Sequence, residues 1–387
     1  MSYGIETTAY RRQEEALPTP DEVLWDKDLH TAVKHLVYRS YLNAWFPILL
    51  QSAYGSSGIT YAEGFSGPGE YKDGSPGSPI IALRSALGCS SPPNPSREGR
   101  FLLLEDNEAR ADHLRNVLIR ELGTLDKTKL GARGLVVDPQ KGNCREDLLP
   151  LLDRHQVWNK PLLLILDTWG SAVDFEILTR TANSKAGEVI VTMQPSQFWR
   201  FASDPRHYGD RVFGPVVWRE VQLQPKDQKA QYIKSQYRRV LNEAGFQYVL
   251  DFELADARKN LLYLVYGTNS DRGVEKMKDA IWRADPYQGI GYRDPRDPNQ
   301  ETLPIQPVPQ LGPLRRLLLE HLATLPERTA TLDELRRFTL LKTIFRPGQT
   351  LQAVRTLVSE RNVTIFPESS RLVGSTQITH TGSMTLF

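Results

Sequence analysis

The stretch "YAEGFSGPGEYKDGSPGSP", residues 61–79, joins a β-like run, "GITYAEG", to an apolar helix-like run, "IIALRSAL". Glycines at such a junction allow tight turns and let a ligand approach the backbone closely. Gly64, Gly67 and Gly69 spell G-x-x-G-x-G, not the dinucleotide fingerprint G-x-G-x-x-G. The helix that follows begins too late for its N-terminus to face a pyrophosphate. The chain has no G-x-x-x-x-G-K-[ST], so a P-loop is excluded.

Strands alternate with helices on either side of this loop. "ITYAEGF" (59–65), "RFLLLEDN" (100–107), "GLVVD" (134–138), "PLLLILDTWG" (161–170) and "GEVIVTMQ" (187–194) read as strands. Runs this continuously apolar suit strands buried on both faces, as in a parallel sheet between helix layers. Upstream, Leu29, Val33, Leu36, Val37, Tyr41, Ala44, Trp45 and Ile48 recur at helical steps over 28–51, with Asp28 as the expected N-cap. Ser78 and Pro79 read as the N-cap and first residue of the helix after the loop. A helical pattern over 228–245 stops at Gly245, and "FQYVLDFEL" and "NLLYLVYGTN" then read as two adjacent strands. Five αβ units followed by a strand pair predict an α/β fold with a Rossmann-like class I methyltransferase sheet: seven strands, the last antiparallel.

The expected domains are a polar arm over 1–27, this domain over 28–285, and a Pro-rich linker over 286–310. A module of three short helices and a hairpin follows over 311–374, resembling a winged helix, and 375–387 is expected to be a loose tail. The chain has 387 residues, a formal net charge of +2 and two cysteines, Cys89 and Cys144. That charge confines any nucleic-acid surface to a local patch. Two distant cysteines exclude a disulfide framework and suit a reducing cytoplasm. No apolar run is long enough to span a bilayer, so no membrane association is expected. The histidines show no ligand spacing, so no metal is expected.

A phosphate-free ligand fits the loop, and S-adenosylmethionine is the expected cofactor. Its adenosine would lie over strand one and its methionine end near the loop amides. Glu105 ends strand two, where a carboxylate can accept from both ribose hydroxyls. Gly142 and Asn143 lie past strand three, at the adenine edge. Asp167 ends strand four, beside the methyl group. Lys34, next to the loop, is expected to hold the cofactor carboxylate. A nicotinamide oxidoreductase is disfavoured by the glycine spacing.

"HTAVKHLVYRSYLNAWFPIL", "YAEGFSGPGEYKDGSPGSPIIAL", "LLLILDTWG" and "GVEKMKDAIWRAD" together resemble the three-Cys-motif partner protein (TcmP) family, in order from about residue 24 to the C-terminus. That resemblance implies a methyltransferase-like protein with a three-Cys-motif partner similar to radical-SAM proteins. More distantly, "HTAVKH" and "GFSGPGEY" are similar to the adenine-N6 methyltransferase of 23S ribosomal RNA. This likeness implies cofactor contacts at His35 and Phe65, the ribose acid at Glu105, the adenine-side turn at Gly142 and Asn143, and the catalytic acid at Asp167. The cofactor set expected is therefore Lys34, His35, Glu63, Gly64, Phe65, Ser66, Gly67, Gly69, Glu105, Gly142 and Asn143, with Asp167 and Trp169 catalytic. Asp167-Thr168-Trp169-Gly170 departs from the D-P-P-Y of the adenine enzymes and the D-P-F-G more usual in TcmP proteins. Strand one ends in Glu63 where Asp is usual.

Trp199, Arg200 and Arg206, after strand five, are candidates for a substrate lid. Arg315, Arg316, Arg336, Arg337, Lys342, Arg346, Arg355 and Arg361 make the C-terminal module basic, as a nucleic-acid or partner surface would be. Two functions compete: a methyltransferase acting on a nucleic acid or macromolecular partner, and a non-catalytic Rossmann-like scaffold for its partner or DNA.

Overall fold

The computed structural model describes residues 22–53, 57–168, 173–200, 202–203, 209–213, 217–255, 261–289, 291–293, 309–368 and 371–382. The first elements are α1 (Leu29–Gln51), β1 (Ile59–Glu63), α2 (Ser78–Leu87), β2 (Gly99–Glu105), α3 (Glu108–Leu122), α4 (Lys127–Gly131), β3 (Leu135–Lys141) and α5 (Cys144–Arg154). Then come β4 (Leu162–Leu166), α6 (Phe175–Asn183), β5 (Gly187–Met193), α7 (Pro195–Trp199), α8 (Gly209–Phe213), α9 (Lys229–Ala244), β6 (Tyr248–Ala255) and β7 (Leu261–Thr268). The chain continues with α10 (Asp271–Ala284), β8 (Gly291–Arg293), α11 (Gly312–Thr324), β9 (Thr329–Thr331), α12 (Leu332–Lys342), α13 (Pro347–Ser359), β10 (Val363–Phe366) and β11 (Gln377–His380).

The large sheet runs β3-β2-β1-β4-β5-β7-β6-β8. β1 to β5 pair in parallel, and β7 lies antiparallel between β5 and β6. Its first seven strands follow the class I methyltransferase order, and the fold is Rossmann-like. The expected sheet is thus present with one addition: β8 extends it to eight strands from within the Pro-rich segment. β1, β4 and β5 are buried along their whole length, as their apolar runs require. The order reverses at β1 and β4, so ligands are expected in the crevice at their carboxyl ends.

Local chemistry sets the helix ends. The Asp28 carboxylate caps α1 by accepting from the Thr31 N–H at 2.6 Å. Gly245 closes α9 in the left-handed region, with φ 112°. The N-cap of α2 is Gly77 rather than Ser78. The Ser78 hydroxyl is drawn instead to a buried carboxylate, Glu63, at 2.8 Å. α1 is tied to the sheet by Tyr41, whose hydroxyl donates to the buried Glu188 carboxylate at 2.6 Å.

By contacts the chain divides into two units, 1–270 with 292–301, and 271–291 with 302–387. The sequence boundary at 285 is therefore displaced: α10 belongs to the second unit. There Trp282 joins a core with Leu314, Leu318, Leu335, Phe345 and Leu357. The second unit also corrects the expected tail. β11 lies between β10 and β9 in a three-stranded antiparallel sheet, and its Ile378 is fully buried. "QITH" alternates about a single strong apolar residue, a weak signal for a strand.

Candidate functional site

The glycine loop leaves β1 and folds back on itself, the Gly69 carbonyl accepting from the Gly77 N–H at 2.7 Å. Gly67 has φ +64°, a conformation open to glycine at little cost. That turn aims its N–H at Glu105, at 2.8 Å. Gly64 serves packing instead: a Cβ there would stand 2.5 Å from the Cys144 sulfur. Phe65 packs on the core, and Ser66 is buried with no partner for its hydroxyl among the described residues.

Glu105 ends β2 and is buried. Its second oxygen accepts from the Asn107 N–H at 3.1 Å, and the Arg110 guanidinium lies 3.8 Å away. Burial pushes its pKa up to about 7. Two carboxylate oxygens offer about four acceptor positions. Two amides leave room for donors from a ribose. The Gly142 N–H donates to the Glu105 carbonyl at 2.9 Å, which sets the turn beside it. Asn143 caps α5, its side chain accepting from the Arg145 N–H at 2.9 Å and its own N–H donating to Asp147 at 2.7 Å.

Asp167 follows β4. One oxygen pairs with the Lys34 ammonium; the other accepts from the Thr192 hydroxyl at 2.5 Å. Burial raises the Asp167 pKa, but the Lys34 charge and the bonds from Lys34 and Thr192 outweigh it and leave the pKa below the ordinary carboxylate value. The Asp167 side chain is 21% exposed. The Thr168 hydroxyl donates to the Thr192 carbonyl at 3.1 Å and fixes the chain after Asp167.

His35, the next residue on α1, is buried, and burial with the Lys34 charge lowers its pKa to about 3. Its ring is neutral at physiological pH. Its Nδ1 and the Tyr38 hydroxyl are buried with no partner among the described residues. Tyr71, from the loop, lies 5.7 Å from the His35 ring between centroids.

Two of the expected cofactor contacts, Glu63 and Lys34, are engaged within the chain. Glu63 is fully buried and accepts from Tyr61 at 2.5 Å and Ser78 at 2.8 Å, and burial raises its pKa to about 8. The Lys34 ammonium is engaged by Asp167. Trp169 and Arg206 lie outside the described residues. Trp199 packs on the core, which suits a connector more than a lid. Tyr38, Tyr71, Arg110 and Thr192 were not singled out from sequence, because they come from α1, the loop, α3 and β5 and share no motif.

Among the described residues no group of His, Cys, Asp and Glu could hold a metal, and no helix is long and apolar enough to cross a membrane. No family model matches the chain, and no curated protein matches it significantly. Among solved structures, the complex of Trm1 from Pyrococcus horikoshii with S-adenosyl-L-methionine is similar at 14% identity and a TM-score of 0.39, covering 95% of this chain and 94% of that one. The METTL16 methyltransferase domain, N-terminally shortened, is similar at 11% identity and a TM-score of 0.33, covering 70% of this chain and 100% of that one. TomG, an O-methyltransferase from Streptomyces achromogenes in complex with SAM, is similar at 13% identity and a TM-score of 0.30, over 68% and 96% of the two chains. Likenesses this slight carry no argument of their own about activity.

One prediction follows from Glu105 alone. An ionised carboxylate accepts from ribose hydroxyls more strongly than the neutral acid does. Its pKa is raised to about 7, so affinity for S-adenosylhomocysteine should rise with pH through that value and level off above it. Glu105→Gln should weaken binding by roughly 1.5–3 kcal/mol at pH 8 and flatten this rise. Calorimetry from pH 6 to 8.5 reads both effects. An unchanged affinity or an unchanged pH slope in the variant would remove Glu105 from the ribose site.

Proposed function

We propose that the chain is an S-adenosylmethionine-dependent methyltransferase acting on a nucleic acid or a macromolecular partner, akin to TcmP proteins. The observation that carries this reading is the convergence, at the carboxyl ends of β1, β2 and β4, of the Gly67 turn, Glu105 and Asp167. The site fits the cofactor chemically. Glu105 would accept from the ribose, and Ser66 and His35 Nδ1 offer buried polar atoms to the methionine end. Bound there, S-adenosylmethionine supplies an electrophilic methyl group on its sulfonium.

Asp167 orients the acceptor. Its depressed pKa makes it a poor proton sink at neutral pH and a good hydrogen-bond acceptor. Lys34 and Thr192 hold its carboxylate in place, the preorganisation a hydrogen bond to a developing charge needs. His35, neutral, adds no charge against the sulfonium.

After α10 the second unit has the element order α11, β9, α12, α13, β10, β11, and we read this part as a winged helix that binds the acceptor or a three-Cys-motif partner. Many of its arginines are already paired: Arg315 with Glu360, Arg336 with Asp333 at 2.9 Å, and Arg337 with Asp271 at 2.8 Å. Lys342, Arg355 and Arg361 stand outside these pairs. Such pairing weakens the field that a phosphate backbone would feel, and it favours a protein partner.

The scaffold reading has one observation of its own: both Asp167 oxygens are engaged within the chain. Tritiated methyl transfer to total RNA, to DNA and to a lysate holding the three-cysteine partner decides between the two. Asp167→Asn should lower turnover by about a hundredfold, the scale of one preorganised hydrogen-bonding group, and leave cofactor affinity nearly unchanged. Full activity in that variant would take Asp167 out of the mechanism. No transfer by the wild type despite bound cofactor would favour the scaffold.

A further inference from the structure

Residues 22–27 were expected to belong to a polar arm, yet they are fastened to the glycine loop. The Trp25 carbonyl accepts from the Lys72 N–H at 3.1 Å, and the Lys72 ammonium pairs with Glu22. Lys27 donates to the Ser75 hydroxyl at 3.2 Å and stands 5.9 Å from the centre of the Tyr71 ring. The Trp25 indole meets the Tyr71 ring edge to face, with centroids 6.0 Å apart.

The same indole reaches the ribose acid through an arginine. The Arg110 guanidinium carbon lies 5.2 Å from its ring centre, and that guanidinium is 3.8 Å from Glu105. The indole also covers the turn: a Cβ on Gly67 would meet Trp25 Cη2 at 3.7 Å. Trp25, Arg110, Glu105 and Gly67 are therefore one contiguous array. Trp25 is half-buried, against a cation, a phenol ring and bare glycine backbone rather than in the apolar core. The buried, unpartnered Ser66 hydroxyl next to Gly67 adds a polar atom that a ligand there would satisfy.

We propose that Trp25 is a positioning residue for the cofactor, and that segment 22–28 is the outer wall of the ribose subsite. Its indole holds the Arg110 guanidinium against Glu105 by cation–π attraction and keeps water from the bonds that Glu105 makes. This rests on the cofactor reading given above.

The probe is S-adenosylhomocysteine, titrated calorimetrically into the full chain at pH 8. Trp25→Ala should raise its Kd tenfold or more, and Trp25→Phe, which keeps an aromatic face, should raise it less. The melting temperature of each variant separates loss of the site from loss of the fold, and if the alanine variant does not fold, the phenylalanine variant decides. The effect should run through the acid, so in a Glu105→Gln background Trp25→Ala should cost threefold or less. An unchanged or tighter Kd in Trp25→Ala overturns the proposal, as does the same tenfold loss in the Glu105→Gln background. Absence of binding by the wild type is a different result: it defeats the cofactor reading itself, and this inference with it.

Discussion

Lys34→Met should lower the free energy of unfolding by about 3 kcal/mol at pH 7, the scale for removing one partner of a buried ion pair. The methionine keeps the apolar stem, so most of the loss comes from the stranded charge. Asp167 would keep the Thr192 hydroxyl but lose its cation in a site where burial already disfavours ionisation. Adding Asp167→Asn should recover more than half of the loss, because no net charge is then left in the site. The pH dependence has a definite sign. In the wild type the Asp167 pKa is depressed, so the pair's contribution is present above the ordinary carboxylate pKa, about 3.9, and is lost as pH falls through the folded value. In Lys34→Met, burial is opposed chiefly by the Thr192 hydroxyl, and the Asp167 pKa rises. The deficit should then shrink on acidification from pH 7 to 5, as the carboxylate takes up a proton. Urea unfolding at the two pH values measures this. A deficit that is constant with pH, or a double variant no more stable than the single, would show that the charge is not the cause.

The second large effect concerns Lys278, on α10. Its side chain is buried, and its ammonium donates to the carbonyls of Thr339 at 3.1 Å, Leu340 at 2.6 Å and Phe345 at 3.0 Å, with Thr343 also in reach. These carbonyls lie at and just past the end of α12, where the helix leaves acceptors unsatisfied and its dipole is negative. A lysine from a neighbouring helix thus does the work of a C-cap. Burial lowers the Lys278 pKa to about 7, and the carbonyl cage acts against that by favouring the ammonium. Lys278→Met would keep the stem and take the ammonium from the Leu340, Thr343 and Phe345 carbonyls, while the Thr339 carbonyl keeps the Thr343 hydroxyl at 2.7 Å. With about 1–3 kcal/mol for each buried acceptor left unsatisfied, a total loss of at least about 3 kcal/mol is expected for the second unit. The readout is the unfolding of that unit in the full chain, followed through Trp282, which packs 5.6 Å from Phe345 in the same core. Unchanged stability would mean that water or other donors take over the carbonyls.

The Lys278 cage also explains why one domain boundary was hidden from the sequence. "GVEKMKDAIWRAD" reads as an amphipathic helix closing the first domain, but the pattern does not say which core receives its apolar face. Only the contacts of Lys278 and Trp282 assign it. The sheet was far more legible, because five apolar runs bounded by turn residues leave few arrangements for parallel strands. The site was legible in part. Glu105 and Asp167 stand where strand ends predicted, since the position of a strand end follows from the strand. Which way a side chain turns does not follow. Glu63 was expected to face the ligand, but Tyr61 and Ser78 satisfy it internally. The Lys34–Asp167 pair joins residues far apart in sequence, and no spacing rule foretells it.

The central claim is that the crevice at the ends of β1, β2 and β4 binds S-adenosylmethionine. Calorimetric titration of the full chain with S-adenosylhomocysteine and, separately, with NAD tests it most directly. The account predicts clear, saturable heat with S-adenosylhomocysteine, weakened by Glu105→Gln, and little with NAD. Heat with NAD and none with S-adenosylhomocysteine would contradict it.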